Sequence, residues 1–183
     1  GIHPFEAEIK VLLYENIDRI DFESDVMQWD AFNGRIRFAF PIPFRGGDHY
    51  EIPYGVLKRK PYRPTFSWTG ANGDWPAINW AGVQGEELSI ALMNKGLPSY
   101  RIENDKRNGR TLFLSALRSP MIPTFLHEPK TSYVMTDFWG MRDSGPHYFE
   151  FALSSYKGPF SKSSVVSDAE AYNAGVITCT GEA

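Results

Sequence analysis

The sequence predicts an all-β fold, an antiparallel β-sandwich with long loops and at most one short helix. Three observations predict it. Apolar residues recur with a period of two over several separate runs. Clusters of Gly, Asn and Asp cut these runs at short intervals. A credible helical stretch occurs once, near the end of the chain.

Taken in order, Ile9, Val11 and Leu13 mark a first strand, and a second runs from about Arg19 to Trp29. Ile36, Phe38, Phe40 and Ile42 then alternate with Arg35, Arg37, Ala39 and Pro41. Between these strands Asn33-Gly34 reads as the tip of a tight hairpin, because both residues tolerate positive φ. Arg45-Gly46-Gly47-Asp48 is the next break. Leu88, Ile90 and Leu92 alternate with Glu87, Ser89 and Ala91. Asn108-Gly109 reads as a second hairpin, joining Ser99–Glu103 to Arg110–Leu117, where Leu112 and Leu114 face one way. Phe149, Phe151 and Leu153 form the last alternation. In each case the period puts one side of a strand in a core. The helix is expected over Ser167–Asn173, with Ser167 as N-cap and Gly175 as the stop.

Two long stretches fit neither period. Lys58 to Trp80 holds three Pro and three Trp, and Ser119 to Gly145 holds three Pro, three acidic residues and His127. Their aromatic content argues against disorder, which leaves function as the reason for such length. The expected organisation is one sandwich domain over residues 1–176 and a small polar tail over 177–183.

Composition bounds the function. At 183 residues the chain is long enough for one self-sufficient core. Its 13 Phe, 9 Tyr and 5 Trp are the unusual feature. A net charge of −3 argues against a general nucleic-acid binder. No apolar run approaches the roughly 20 residues of a membrane helix. The one cysteine, Cys179, excludes an internal disulfide and Cys-rich zinc motifs. The chain opens Gly1-Ile2-His3-Pro4 with no basic-then-apolar leader, so either a segment was removed or the chain is a piece cut from a longer protein, and the reading leans toward a cytoplasmic setting.

Candidate chemistry is sparse. Glu128, Asp137 and Asp143 share one loop and could supply the carboxylate pair of a small stand-alone glycosidase. His3, His49, His127 and His147 are scattered without metal-ligand spacing, so no metal site is expected, and His147 reads as a packed strand residue. No nucleophile-elbow or phosphate-loop motif occurs. Sugar binding fits better. Trp68, Trp75 and Trp80 could form a stacking platform, as in an autonomous carbohydrate-binding module; alternatively they fold back to close the core.

Several segments together resemble the C-terminal β-domain of glycoside hydrolase family 38, the α-mannosidases. They are Arg19-Ile20-Asp21-Phe22 with Trp29, Arg35 to Pro41, Tyr50-Glu51-Ile52-Pro53-Tyr54-Gly55, Pro76-Ala77 with Trp80, and Ala91-Leu92-Met93-Asn94. Leu117-Arg118-Ser119-Pro120, then Asp143, Gly145, His147 and Phe149, and finally Ala169 and Asn173, complete the series in order. Ser155-Tyr156-Lys157-Gly158 departs from the family's usual "PH.G", and Gly175 stands where proline is usual.

The resemblance implies a galactose-mutarotase-like supersandwich within a larger multidomain enzyme. It implies that the intact enzyme is a retaining, zinc-dependent hydrolase of terminal α-mannosides. Its nucleophile and zinc would lie in N-terminal α/β and helical domains, so this fragment would carry no catalytic residue and no cofactor of its own. Those domains and the mannoside substrate are the implied partners. The loop from Arg118 to Asp143 is then the expected wall of the active site. Arg118 either meets sugar hydroxyls or an acidic neighbour, or pairs with Asp143 to hold the loop. Cut from its neighbours, such a sandwich is also expected to expose apolar area and strand edges that favour self-association.

Overall fold

A computed structural model of the chain describes residues 5–31, 34–60, 73–104, 109–119 and 143–175. Eleven strands are present among them: β1 (Glu6–Leu13), β2 (Arg19–Trp29), β3 (Gly34–Ile42), β4 (Gly47–Ile52), β5 (Gly55–Arg59), β6 (Trp75–Pro76), β7 (Trp80–Gln84), β8 (Leu88–Asn94), β9 (Ser99–Asn104), β10 (Arg110–Ser119) and β11 (Gly145–Lys157). They form a seven-stranded sheet in the order β1-β2-β11-β8-β7-β4-β5 and a four-stranded sheet in the order β3-β10-β9-β6. All neighbouring strands are antiparallel. The antiparallel all-β sandwich is therefore as the alternations predict.

The core between the sheets gathers the inward residues of both. Tyr50, Ala81, Val83, Leu92 and Phe151 of the larger sheet meet Ile42, Tyr100, Ile102, Leu112 and Leu114 of the smaller. Much of the Phe surplus is here: Phe22 stacks on Phe151 at 5.2 Å, and Phe38 lies 4.3 Å from the same ring. Polar ties also bind the sheets, among them Asn94 of β8, which donates to the Tyr100 hydroxyl of β9 at 2.6 Å. Asp48 of β4 and Arg110 of β10 form a buried ion pair, which Asn104 completes from the Arg110 side. Elsewhere Trp29 donates its indole N–H to Ser119 Oγ at 2.7 Å.

The larger sheet is covered on its other face as well. A 3-10 turn (Phe160–Lys162) and helix α1 (Val165–Ala174) lie over β7, β8 and β11. Val165, Ala169 and Tyr172 form the buried stripe of the helix, at helical spacing. They pack on Trp80, Ala91, Met93 and Ala152. The helix starts two residues before the predicted Ser167; its N-cap is Ser164, to whose carbonyl Ser167 donates. Gly175 ends it with φ of 65°, as expected of a stop.

One hairpin expectation fails. β2 pairs with β1 and β11, whereas β3 pairs with β10, so the Asn33-Gly34 segment crosses between sheets and closes no hairpin. Asn33 itself lies outside the described residues. The expected pairing across Asn108-Gly109 does form, with β9 antiparallel to β10. β4, β5 and β7 fill ground that shows no clean alternation. β7 is buried on both faces, and its run Trp80-Ala81-Gly82-Val83 has no polar side to reveal it.

Gly82 fixes the spacing of the outer layer. A Cβ there would meet the Ile90 carbonyl oxygen at 2.5 Å and Phe160 Cζ at 2.7 Å. Gly82→Ala therefore overpacks a backbone-lined site, and urea unfolding should show a loss of about 1–3 kcal/mol. His49, on the same side, packs edge-on to Phe160 and bonds the Gly47 carbonyl. Burial pulls its imidazole below the ordinary value of 6.5; the Gly47 bond opposes this and Lys58 adds to it. The native state thus prefers the neutral ring, and the unfolded chain binds the proton more readily. Stability should fall as pH drops through about 6.5, and His49→Gln should flatten that limb in denaturation midpoints measured across it.

Candidate functional site

The outer face of the four-stranded sheet gathers polar side chains around one acid. Asp74 takes both carboxylate oxygens to Arg37 Nη2 at 2.5 Å, and Arg35 Nη1 reaches Oδ2 at 2.8 Å. Arg37 also donates Nε–H to Ser115 Oγ at 3.2 Å and lies 5.8 Å over the Phe113 ring. Burial lowers the Arg37 guanidinium from its ordinary value while Asp74 opposes it; Arg35 and Arg101 add to the lowering. The group stays charged at any physiological pH. Arg101 pairs with Glu103 on the same face.

A shift of register brings Arg118 to this cluster. Leu112 and Leu114 point inward, so strict alternation would aim Arg118 inward too. β10 carries a bulge between Ser115 and Leu117. The extra residue re-phases the strand. Leu117 turns into the small cluster around Val26 and Trp29, Ser119 is buried against Trp29, and Arg118 stands exposed opposite Arg35. Arg35, Asp74, Ser99, Ser115 and Arg118 then line a cavity of about 390 Å³. It offers guanidinium, hydroxyl and carboxylate groups together, a set suited to hydroxyl-rich or anionic groups. The out-of-phase Leu117 was the sequence signal for this bulge.

The remaining predicted site residues scatter. Trp80 is fully buried beneath Phe160, 4.8 Å between ring centroids, so it offers no face to a sugar. Trp75 is half-buried against the core with the Arg59 guanidinium 4.3 Å over its ring. Trp68 lies outside the described residues, as do His3, His127, Glu128, Asp137 and Cys179. The open platform of three Trp is thus corrected: the covering helix claims Trp80 and the core claims Trp75. Asp143 is exposed, with φ of 51°, and its carbonyl bonds His147 Nε2 at 2.7 Å. His147 stacks on Phe149 at 6.0 Å, a packed strand residue. Among the described residues no ion pair joins Arg118 to Asp143. Nor do any three His, Cys, Asp or Glu side chains there come together as a metal site requires.

A polar cleft of about 350 Å³ lies between α1 and the ends of β2 and β11. In it Tyr156 and Ser164 both donate to Asp168 Oδ2, at 3.0 and 2.7 Å. These bonds fasten the helix to the sheet.

The family model of the glycosyl hydrolases family 38 C-terminal domain matches residues 3–125. Alpha-mannosidase 2C1 of Homo sapiens is 26% identical over 165 residues, which cover 90% of this chain and 14% of that protein. An alpha-mannosidase of Saccharomyces cerevisiae is 23% identical over 150 residues, 81% of this chain and 12% of that protein. The crystal structure of an alpha-mannosidase from Enterococcus faecalis V583 superposes with a TM-score of 0.67 at 17% identity, covering 91% of this chain and 18% of that one. The chain thus spans a small part of each relative's length.

Asp74 is the counter-ion on which this face is organised. Asp74→Ala leaves Arg35, Arg37 and Arg101 crowded without it. A loss of about 1.5–3 kcal/mol is expected at low ionic strength. Part of it should return with added salt, which screens the guanidinium repulsion; denaturation of both proteins at two salt concentrations checks this.

Proposed function

The chain belongs to the glycosyl hydrolase family 38 C-terminal domains, and on that footing we propose that it is the non-catalytic β-sandwich of a retaining, zinc-dependent α-mannosidase. In this reading the intact enzyme removes terminal α-linked mannose. The other domains of the same protein hold the nucleophile and the zinc. This domain supports them and walls the active site with the end of the four-stranded sheet that presents Arg118.

The observation that carries the reading is the Arg118 cavity. It lies where the chain leaves the sheet at Ser119, and Trp29, which binds Ser119, faces Gly145 on the strand by which the chain returns. Arg118 is exposed there, backed by Arg35, Ser99 and Ser115. Its rigid fork of donors can take a sugar hydroxyl or an acid of the adjoining domain. In this reading no catalytic step is assigned to this chain.

Arg118→Ala in the intact enzyme should lower kcat/KM for a chromogenic α-mannoside by about tenfold or more, with little change in melting temperature. The chain by itself should give no turnover, with or without zinc. Zinc-dependent turnover from the pure chain would place the chemistry here and overturn the reading. An Arg118→Ala enzyme with unchanged kcat/KM would remove Arg118 from the active-site wall.

A further inference from the structure

The two sheets differ in width, and the larger one overhangs. At one edge β1 extends past the smaller sheet. Ile9, Val11 and Leu13 share the face of Ser24, Phe22 and Ile20, their partners on β2, and Phe22 belongs to the sandwich core. Nothing among the described residues covers the three: they are 52%, 57% and 74% exposed. Among the described residues β1 pairs only with β2, which leaves its other edge open there.

The other sheet edges carry guards against strand addition. β5 ends in Lys58 and Arg59. β3 contains Pro41 together with Arg35 and Arg37, and β6 is two residues long and ends in Pro76. Such charges, prolines and short lengths are how sheets avoid pairing edge to edge. β1 has no proline, and its outward residues carry both signs: Glu6 and Glu8 are acidic and Lys10 is basic.

We propose that β1 is a self-complementary dimer edge, and that its occupant is β1 of a second copy of this chain, running antiparallel about a two-fold axis through Ile9. That register sets Glu8 against Lys10 of the second copy and Lys10 against Glu8 of the second copy. It also sets Ile9 on itself and Val11 on Ala7 of the second copy. Ile9, Val11 and Ala7 fall on one face and Glu8 and Lys10 on the other, with Glu6 meeting Leu12 at the ends of the pairing. An axis through Lys10 sets Lys10 on Lys10 and Glu8 against Leu12, and an axis through Glu8 sets Glu8 on Glu8 at its centre although it brings Glu6 to Lys10. Pairings with no residue on the axis set Ile9 against Glu8 or Lys10, mixing the two faces. Glu8 gains most. Within one copy it stands directly opposite Asp25, and Lys10 reaches Asp25 only at 3.9 Å. Pairing joins two seven-stranded sheets into one continuous sheet, and the exposed apolar stripe runs on across the axis.

Sedimentation of the full chain over about 1–300 μM should show a concentration-dependent species of twice 20.8 kDa. Glu8→Lys or Lys10→Glu alone places two like-charge pairs across the axis and should weaken dimerisation about tenfold or more. Glu8→Lys with Lys10→Glu restores both opposite-charge pairs and should return the dimer to within a few-fold of the parent. Both positions are exposed, so circular dichroism should show every variant folded. A chain that stays monomeric at the highest concentration overturns the proposal. So does a dimer indifferent to the single charge reversals, or one that the double exchange fails to restore.

Discussion

The seven-stranded sheet is buried on both faces at its centre, and the rest of the domain follows from that constraint. A strand sandwiched between two layers cannot carry a wet side. On the side where the helix lies, small residues alternate with large ones, Trp80 and Met93 among them. Gly82, Ala91 and Ala152 are the small residues on which Phe160, Val165 and Ala169 rest. The inner side of the same strands is filled by Val83, Leu92 and Phe151. The two layers meet at a sheet whose central backbone groups are satisfied by ladder bonds.

With the larger sheet so committed, the ends of the sandwich and the outer face of the smaller sheet are left for polar chemistry. The Asp48–Arg110 pair lies where the core gives out between β4 and β10. A buried pair of this kind adds little over apolar packing, but removing one partner strands the other at a cost of about 3–5 kcal/mol. It therefore fixes how the sheets register more than how strongly they adhere. Trp29 and Ser119 tie the sheets elsewhere, beside the bulge that turns Arg118 outward. Packing and site are linked there. Leu117 and Ser119 must face inward to close the small cluster around Val26, and Arg118 between them faces out as a consequence.

The parts of the fold legible in the sequence are those where one face is wet and the other dry. β3, β10 and β11 show this, because Arg, Thr, Ser and Glu mark the outer positions between apolar ones. β7 was illegible because both of its sides are dry. The Asn33-Gly34 signal was misleading because it encodes a sharp change of direction and not which strand comes next. Ser167 was taken for the cap because it precedes the first acidic turn, whereas the buried stripe begins with Val165. Of the site, Arg118 was legible through the family motif and the slip of Leu117. The Arg35–Asp74–Arg37 cluster was not. It depends on β6 being laid against β9, and two residues carry no periodicity.

The segments that carry the family likeness are mostly interior. Tyr50, Glu51, Ala91, Leu92, Met93, Asn94, Leu117 and Ser119 are all buried. Asn94 alone ties three places, donating to the Ile78 carbonyl and the Tyr100 hydroxyl and accepting from the Leu97 amide. These buried residues of the motif segments hold the sandwich together. Tyr54, in the same motif as Tyr50, is different. It sits at a hairpin tip with φ of 65° and its ring fully exposed. The left-handed conformation costs a non-glycine residue about 1 kcal/mol. No packing among the described residues offsets that, because the ring is fully exposed. Stability alone accounts for the interior of this motif and fails at its tip. Where the chain meets solvent, residue choice answers to something other than the fold.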